Sequence, residues 1–181
     1  AEFMAAVMNC DIHLTDKLAV YKREVDKLGI ATVAPCVNVS LATFTVRESA
    51  IVYGLGALKN VGIDAMQMIV AARQTGGNDQ PFSSLFDFAR RVDLKKIGKR
   101  PLEMLARAGA FDVLDPNRAR VFEAIDSLVA WSAALHEAAA SAQNSLFGAN
   151  GADIPEPRLP FRDDWPPMER LAQEHQAIGF Y

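Results

Sequence analysis

Cysteine and long apolar runs are scarce in this 181-residue chain. The two cysteines, Cys10 and Cys36, have no metal-binding or redox motif around them, and no stretch of this sequence has the pattern of a signal peptide. Such a composition is typical of proteins that keep free thiols in a reducing cytoplasm. Charged residues, glycine or proline interrupt every apolar stretch before it reaches the roughly 20 residues that span a bilayer. We therefore expect a cytoplasmic protein without a membrane partner.

Residues suited to catalysis or metal binding are also sparse. His13, His136 and His175 are far apart and have no cysteine or carboxylate at the spacing of metal ligands. Asp163 and Asp164 are adjacent, so on a regular element their side chains diverge. No serine, histidine and aspartate set, and no cysteine and histidine pair, suggests a nucleophile. The sequence therefore predicts no catalytic residue, metal or cofactor in this chain.

The net charge of −3 argues weakly against a nucleic-acid partner, but the charges are unevenly distributed. Residues 1–46 carry 4 basic and 5 acidic side chains, residues 47–120 carry 12 and 8, and residues 121–181 carry 3 and 9. A basic middle is therefore followed by an acidic tail. This asymmetry directs the search for a nucleic-acid site to the middle of the chain.

Apolar residues make up half of the chain, and their spacing predicts a mainly α fold with a small β-hairpin. Thr15 is the expected N-cap of a helix over 15–28, and Asp115 followed by Pro116 predicts the start of a long helix. Short runs at 43–46 and 50–53 flank a polar turn and predict the hairpin. Residues 30–33 are expected to be extended. Other helices are expected over 3–9, 64–73, 83–91 (with a serine cap), 93–97, 99–108 and 169–177.

A small-residue turn with a helix on each side occupies residues 55–64. A helix N-terminus has unpaired backbone N–H groups and a partial positive charge, so a phosphate can bind there. Lys59, Asn60, Val61 and Gly62 are the expected contacts of a helix-hairpin-helix, which holds the duplex backbone without reading sequence. A helix-joining turn that binds no ligand would have the same pattern.

A second short helix, turn and helix occupy residues 93–102, with Gly98 lying 36 residues after Gly62. Its expected DNA contacts are Gly98 and four cations: Lys95, Lys96, Lys99 and Arg100. Two tandem hairpins would bind phosphates on both sides of a groove, with affinity that falls as salt rises. The alternative is a charged face that only contacts solvent.

Residues 141–167 are rich in Gly, Pro, Asp and Asn and predict a mobile linker. Near its start, Gln143 precedes Leu146 and Phe147 by three and four positions. An exposed Leu-Phe pair can insert into the pocket of a partner while the amide makes a hydrogen bond. The alternative is that both side chains fold back onto the domain.

Five motifs, in this order, resemble the DNA polymerase III alpha subunit family of bacterial replicative, C-family polymerases. The motifs are EFMAAVM at 2–8, PCVNVS at 35–40, YGLGALKNVG at 53–62, SLFDF at 84–88 and AGAFD at 108–112. The first hairpin departs from the family's Gly-Val-Gly, because Asn60 stands at the first glycine. Asn tolerates the left-handed backbone better than other non-glycine residues, so the turn should be preserved.

The resemblance implies a division of the chain into four parts. Residues 1–40 would be the C-terminal part of the fingers, 41–140 a tandem helix-hairpin-helix domain, 141–168 a flexible linker with the clamp-binding peptide, and 169–181 the truncated start of the next domain. Both ends of the chain look like cuts through structure, so we expect a fragment of a longer protein. The family's magnesium-binding palm aspartates would lie outside it.

The implied partners are primer-template duplex DNA, a sliding clamp contacted by Gln143, Leu146 and Phe147, and the rest of the polymerase and its holoenzyme. The parent protein would be a DNA-directed DNA polymerase, whereas this fragment alone would be inactive. Two other interpretations remain open. The chain could be a helix-hairpin-helix module of an error-prone paralogue or a repair enzyme, or an interaction scaffold whose hairpins are purely structural.

Overall fold

The computed structural model describes residues 1–144 and 154–180, without the side chains of 142–144. Within these ranges the chain forms eight α-helices and a small sheet. The helices are α1 (Glu2–Cys10), α2 (Thr15–Lys27), α3 (Ile63–Arg73), α4 (Leu85–Arg91), α5 (Leu94–Ile97), α6 (Lys99–Arg107), α7 (Arg118–Asn144) and α8 (Pro167–Ile178). Two 3-10 helices, Leu55–Ala57 and Thr75–Gly77, flank α3. None of the described helices is long and apolar enough to cross a membrane.

The sheet has three strands, β1 (Thr32–Val33), β2 (Thr45–Arg47) and β3 (Ala50–Val52), in the order β1-β3-β2. Strands β2 and β3 form the predicted antiparallel hairpin. Its turn places Glu48 and Ser49 at φ values of 53° and 65°. The extended segment predicted at 30–33 supplies β1, which pairs parallel to β3 with Thr32 opposite Ile51. The predicted fold class, mainly α with a small β-hairpin, is confirmed.

One hydrophobic core runs through most of the described elements. It includes Met8 of α1, Leu18 of α2, Ile51 of β3, Leu105 of α6 and Ala177 of α8, each at most 1% exposed. Residues on both sides of position 40 therefore pack into the same core, and so does α8. The predicted domain boundaries at 40 and 168 do not coincide with gaps in this packing.

Two predicted helix starts need correction, and one is confirmed. Leu14, not Thr15, occupies the N-cap of α2, and no side chain caps that helix. Helix α7 begins at Arg118 rather than at Pro116, because the Asn117 side chain accepts the Arg120 N–H at 2.9 Å. The serine cap predicted for α4 is confirmed, since the Ser84 side chain accepts the Asp87 N–H at 3.0 Å.

The predicted flexible linker over 141–168 differs from the structure in its described parts. Helix α7 continues to Asn144, and residues 154–166, although without regular secondary structure, lie on the helical domain. The Trp131 indole Nε1–H donates to the Ile154 carbonyl at 3.1 Å. Trp165 is 7% exposed and its ring centroid lies 5.7 Å from that of Phe122. We call residues 154–166 the docked segment; its polar composition concealed these anchors.

Helix α8 follows the docked segment and is held against the α6–α7 region by ion pairs around Arg118. The nearly buried Arg118 guanidinium lies 2.8 Å from both an Asp112 oxygen and a Glu174 oxygen. Burial alone would lower the pKa of Arg118, but the hydrogen bonds that it donates to these two carboxylates raise it. Gly109, at φ +80°, leaves the space that this guanidinium fills.

Candidate nucleic-acid interface

The first hairpin, residues 58–62, joins the 3-10 helix at Leu55–Ala57 to α3. Its conformation depends on Asn60, which adopts a left-handed φ of 58°. The prediction that asparagine would preserve the turn in place of glycine is therefore confirmed. Leu58 and Val61 are buried and fix the hairpin to the core, whereas Gly62 is exposed and occupies the N-cap of α3.

The N-terminus of α3 is open to solvent on the side of Gly62. A Cβ built on Gly62 would meet no atom within 4 Å. The hairpin borders a cavity of about 490 Å³ whose lining includes His13 and Thr15 from the α1–α2 turn together with Lys59 and Asn60. The first N–H groups of a helix have no intrahelical acceptor and attract anions, so this geometry suits a phosphate oxygen. Exposed Asp64 in the first turn partly offsets that attraction.

The position of Lys59 is set by the end of α8. Its backbone N–H donates to the Ala177 carbonyl at 2.8 Å. Its side chain passes over Gly179, where an added Cβ would lie 2.6 Å from Lys59 Cε and 2.3 Å from Thr15 Cγ2. No carboxylate in the described ranges pairs with Lys59. No local sequence pattern predicts that Gly179, Thr15 and His13 lie beside this hairpin, because their positions depend on contacts between distant segments.

The second hairpin joins the four-residue α5 to α6 through Gly98, which has a φ of 92°. Leu94 and Ile97 are buried and fix it to the core. A buried hydroxyl supports its start: Ser132 of α7 accepts the Leu94 N–H at 3.1 Å and donates to the Val92 carbonyl at 3.0 Å. Sequence reasoning did not find Ser132, since only the fold brings α7 beside α5.

The cations of the second hairpin are exposed, but most of them face carboxylates. Lys95 Nζ lies 3.2 Å from Glu137, Lys96 Nζ 3.7 Å from Asp93, and Lys99 Nζ 2.8 Å from Asp126. The hydrogen bond that Lys99 donates to the Asp126 carboxylate raises the pKa of Lys99. Arg100 has no ion-pair partner among the residues that the structure describes. The positive charge predicted for this hairpin is therefore partly neutralised within the fold.

The two hairpins belong to one packed body but border different spaces. Helices α3 and α5 are in contact, so the halves of the tandem are directly joined. The first hairpin faces the α1–α2 turn, and the second borders a separate cavity of about 530 Å³ that includes Lys95, Lys96, His136 and Glu137. The predicted DNA-contacting residues thus form two clusters.

The predicted clamp-binding residues are only partly covered by the structure. Leu146 and Phe147 lie outside the described residues, and Gln143 belongs to α7 by its backbone only. The structure therefore does not test that motif. Within the described ranges, no group of three or more His, Cys, Asp or Glu side chains is arranged to hold a metal ion. Cys10 and Cys36 are free thiols.

Comparison with known proteins agrees with the assignment of helix-hairpin-helix motifs. A family profile for the helix-hairpin-helix motif matches residues 29–121, more than half of the chain, and the chain belongs to that family. Over 99–100% of its length the chain is also similar to proteins named DNA polymerase III subunit alpha, 42% identical in Caulobacter vibrioides, 39% in Vibrio cholerae and 38% in Thermus aquaticus. The resemblance drawn from the motifs is confirmed. The chain spans only 14–16% of the length of these relatives.

Proposed function

We propose that this chain is a non-catalytic region of a replicative DNA polymerase alpha subunit and that it holds the duplex product by its phosphate backbone. The observation that carries the proposal is the exposed N-terminus of α3, where Gly62 leaves open space beside Lys59, which pairs with no carboxylate of the described residues. Backbone N–H groups bind phosphate whatever the base sequence. This mode of binding suits a polymerase, which must hold every sequence that it copies.

The two hairpins would contribute unequally to this binding. The first has an open helix N-terminus and a lysine without a carboxylate partner in the part of the chain that the structure describes. Three of the four cations of the second are already paired. We therefore propose weak, salt-sensitive binding, with the first hairpin as the main contact. The parent protein would be a DNA-directed DNA polymerase, and its catalytic aspartates and Mg²⁺ would lie outside these 181 residues.

The experiment is a titration of a labelled DNA duplex with the chain, followed by anisotropy at increasing salt. We expect the logarithm of the binding constant to fall by about 0.9 per phosphate contact for each tenfold rise in salt. The test variant is Gly62→Asp. Aspartate is among the preferred N-cap residues, so it should keep or improve the stability of α3 while it repels a phosphate. The variant should retain its melting temperature and lose duplex affinity.

Two control variants separate charge from shape. Gly62→Ser adds a capping side chain without charge, and Asn78→Asp adds the same charge at an exposed position outside both hairpins. Both should bind duplex more tightly than Gly62→Asp does. Undetectable binding of the unaltered chain at low salt would overturn the proposal. Equal affinities of Gly62→Asp and Asn78→Asp would instead remove the first hairpin from the interface and favour a structural scaffold.

We also propose that Gln143, Leu146 and Phe147 bind a sliding clamp, supported by the sequence pattern and by the resemblance to the alpha subunit family. A tether to a ring on DNA raises the effective concentration of the weak duplex contacts, which allows processive synthesis without tight DNA binding. The double variant Leu146→Ala/Phe147→Ala should lose binding to an immobilised clamp while its circular dichroism and duplex affinity stay the same. Unchanged clamp affinity would refute the tether.

A further inference from the structure

Two of the ion pairs at the second hairpin join it to a different element of the fold. Lys95 pairs with Glu137 and Lys99 pairs with Asp126, and both carboxylates belong to α7. The other carboxylates near these cations, Asp93 and Glu103, come from the hairpin itself or from α6. Helix α7 thus places two negative charges against the surface that would face DNA.

The positions of the two carboxylates on α7 are matched to the hairpin. Asp126 and Glu137 are eleven residues apart, close to three helical turns, so they lie on one face about 16 Å apart. Lys95 and Lys99 flank Gly98 on the opposing surface. One face of α7 therefore contacts cations from both sides of the turn.

We propose that Asp126 and Glu137 act as internal competitors for the phosphates of DNA and thereby set the duplex affinity of the second hairpin low. The inference rests on the proposed function, because it concerns how tightly the second of the two hairpins binds duplex DNA. A carboxylate and a phosphate oxygen are similar anionic acceptors for a lysine ammonium. A duplex must displace the α7 carboxylates before it can bind Lys95 and Lys99.

The exposure of these pairs makes the competition reversible. The side chains of Asp126 and Glu137 are 71% and 70% exposed, and those of Lys95 and Lys99 are 69% and 54% exposed. Exposed ion pairs are weak and exchange readily with other anions in solution. The first hairpin has no corresponding pair, since Lys59 lies free of carboxylates within the described ranges. The fold therefore lowers the duplex affinity of the second hairpin and not that of the first.

The test is the double variant Asp126→Asn/Glu137→Gln, measured by duplex titration across a range of salt. Release of two lysines should raise duplex affinity about 2- to 10-fold at low salt. The salt dependence should steepen by up to about 0.9 for each phosphate newly bound. The matched control is Glu24→Gln/Asp26→Asn on α2, which removes two exposed carboxylates that pair with Lys27 and Lys22. The control changes net charge equally but should leave the salt slope unchanged.

A second pair of variants identifies the lysines. Lys95→Gln/Lys99→Gln should reduce duplex affinity less in the unaltered chain than in the Asp126→Asn/Glu137→Gln background, since only there are both ammonium groups released from the α7 carboxylates. Thermal melting of each variant establishes that it is folded. Equal losses in the two backgrounds would contradict the inference.

The outcomes separate the inference from the proposed function. Suppose that the unaltered chain binds duplex and that Asp126→Asn/Glu137→Gln, the neutral α7 variant, binds no more tightly than the Glu24→Gln/Asp26→Asn control on α2. In that case only the competition is refuted. If neither the unaltered chain nor the neutral α7 variant binds at low salt, both proposals are refuted. Binding that appears only in the Asp126→Asn/Glu137→Gln variant would support the competition but overturn the proposed duplex binding by the unaltered chain.

Discussion

Replacement of Gly109 by alanine should be among the most destabilising small substitutions in this chain. Gly109 has a φ of +80°, which costs an alanine about 1–2 kcal/mol. Its Cβ would also lie 2.1 Å from Nη2 and 2.4 Å from Cζ of Arg118. The guanidinium would have to move, and movement breaks its hydrogen bonds to Asp112 and Glu174.

The loss of these charged hydrogen bonds adds about 1.5–3 kcal/mol, so Gly109→Ala should lower the free energy of unfolding by about 2.5–5 kcal/mol in total. The matched control is Gly29→Ala. Gly29 has a φ of +67°, but its Cβ would meet nothing within 4 Å. The control should therefore cost only the backbone term, about 1–2 kcal/mol.

Urea denaturation followed by circular dichroism measures both values. The difference between them isolates the displacement of Arg118, which holds α8 through Glu174. A loss for Gly109→Ala no larger than that for Gly29→Ala would show that the Arg118 side chain moves without cost, and the structural argument would be wrong.

Substitutions at three further positions test single structural features by denaturation. Ser132→Ala leaves the Leu94 N–H without its acceptor inside the core, so it should cost about 2–3 kcal/mol in urea denaturation. Asn60→Val places a β-branched residue at a left-handed φ and should cost about 1–2 kcal/mol, whereas Asn60→Gly should cost almost nothing; equal costs would contradict the assigned backbone. Burial raises the pKa of Asp164, but hydrogen bonds from the Ala119 N–H and the Arg170 guanidinium outweigh it and lower that pKa. Its stabilisation is therefore complete above the ordinary aspartate value of about 3.9 and is lost as the pH falls through the lowered value, so Asp164→Asn should flatten the acid limb of a stability-against-pH curve.

Local signals in the sequence predicted most of the helices and the first hairpin. Ser84 caps α4 through its own side chain, and Asn60 adopts the left-handed conformation expected of it. Such features depend on residues that are neighbours in the chain. The sequence predicts them directly, because a capping side chain and a left-handed residue are determined by interactions within one turn of the chain.

Contacts between distant segments escaped prediction. The parallel pairing of Thr32 with Ile51 joins residues nineteen positions apart, and no periodicity in either strand specifies it. The ion pairs that link the second hairpin to α7 were missed for the same reason: Lys95 and Glu137 are separated by 42 positions. The sequence shows the cluster of cations, but the α7 carboxylates that face it are brought there only by the packing of α7.

The two tryptophans of this chain, Trp131 and Trp165, both lie where the docked segment contacts the helical domain. One donates its indole N–H to the segment, and the other is carried by the segment and packs against Phe122. The intrinsic tryptophan emission of the protein therefore reports on the attachment of this segment. Detachment of the segment would expose both indoles to water and shift their emission to longer wavelength. The junction between α7 and α8 thus has an optical reporter that needs no added label.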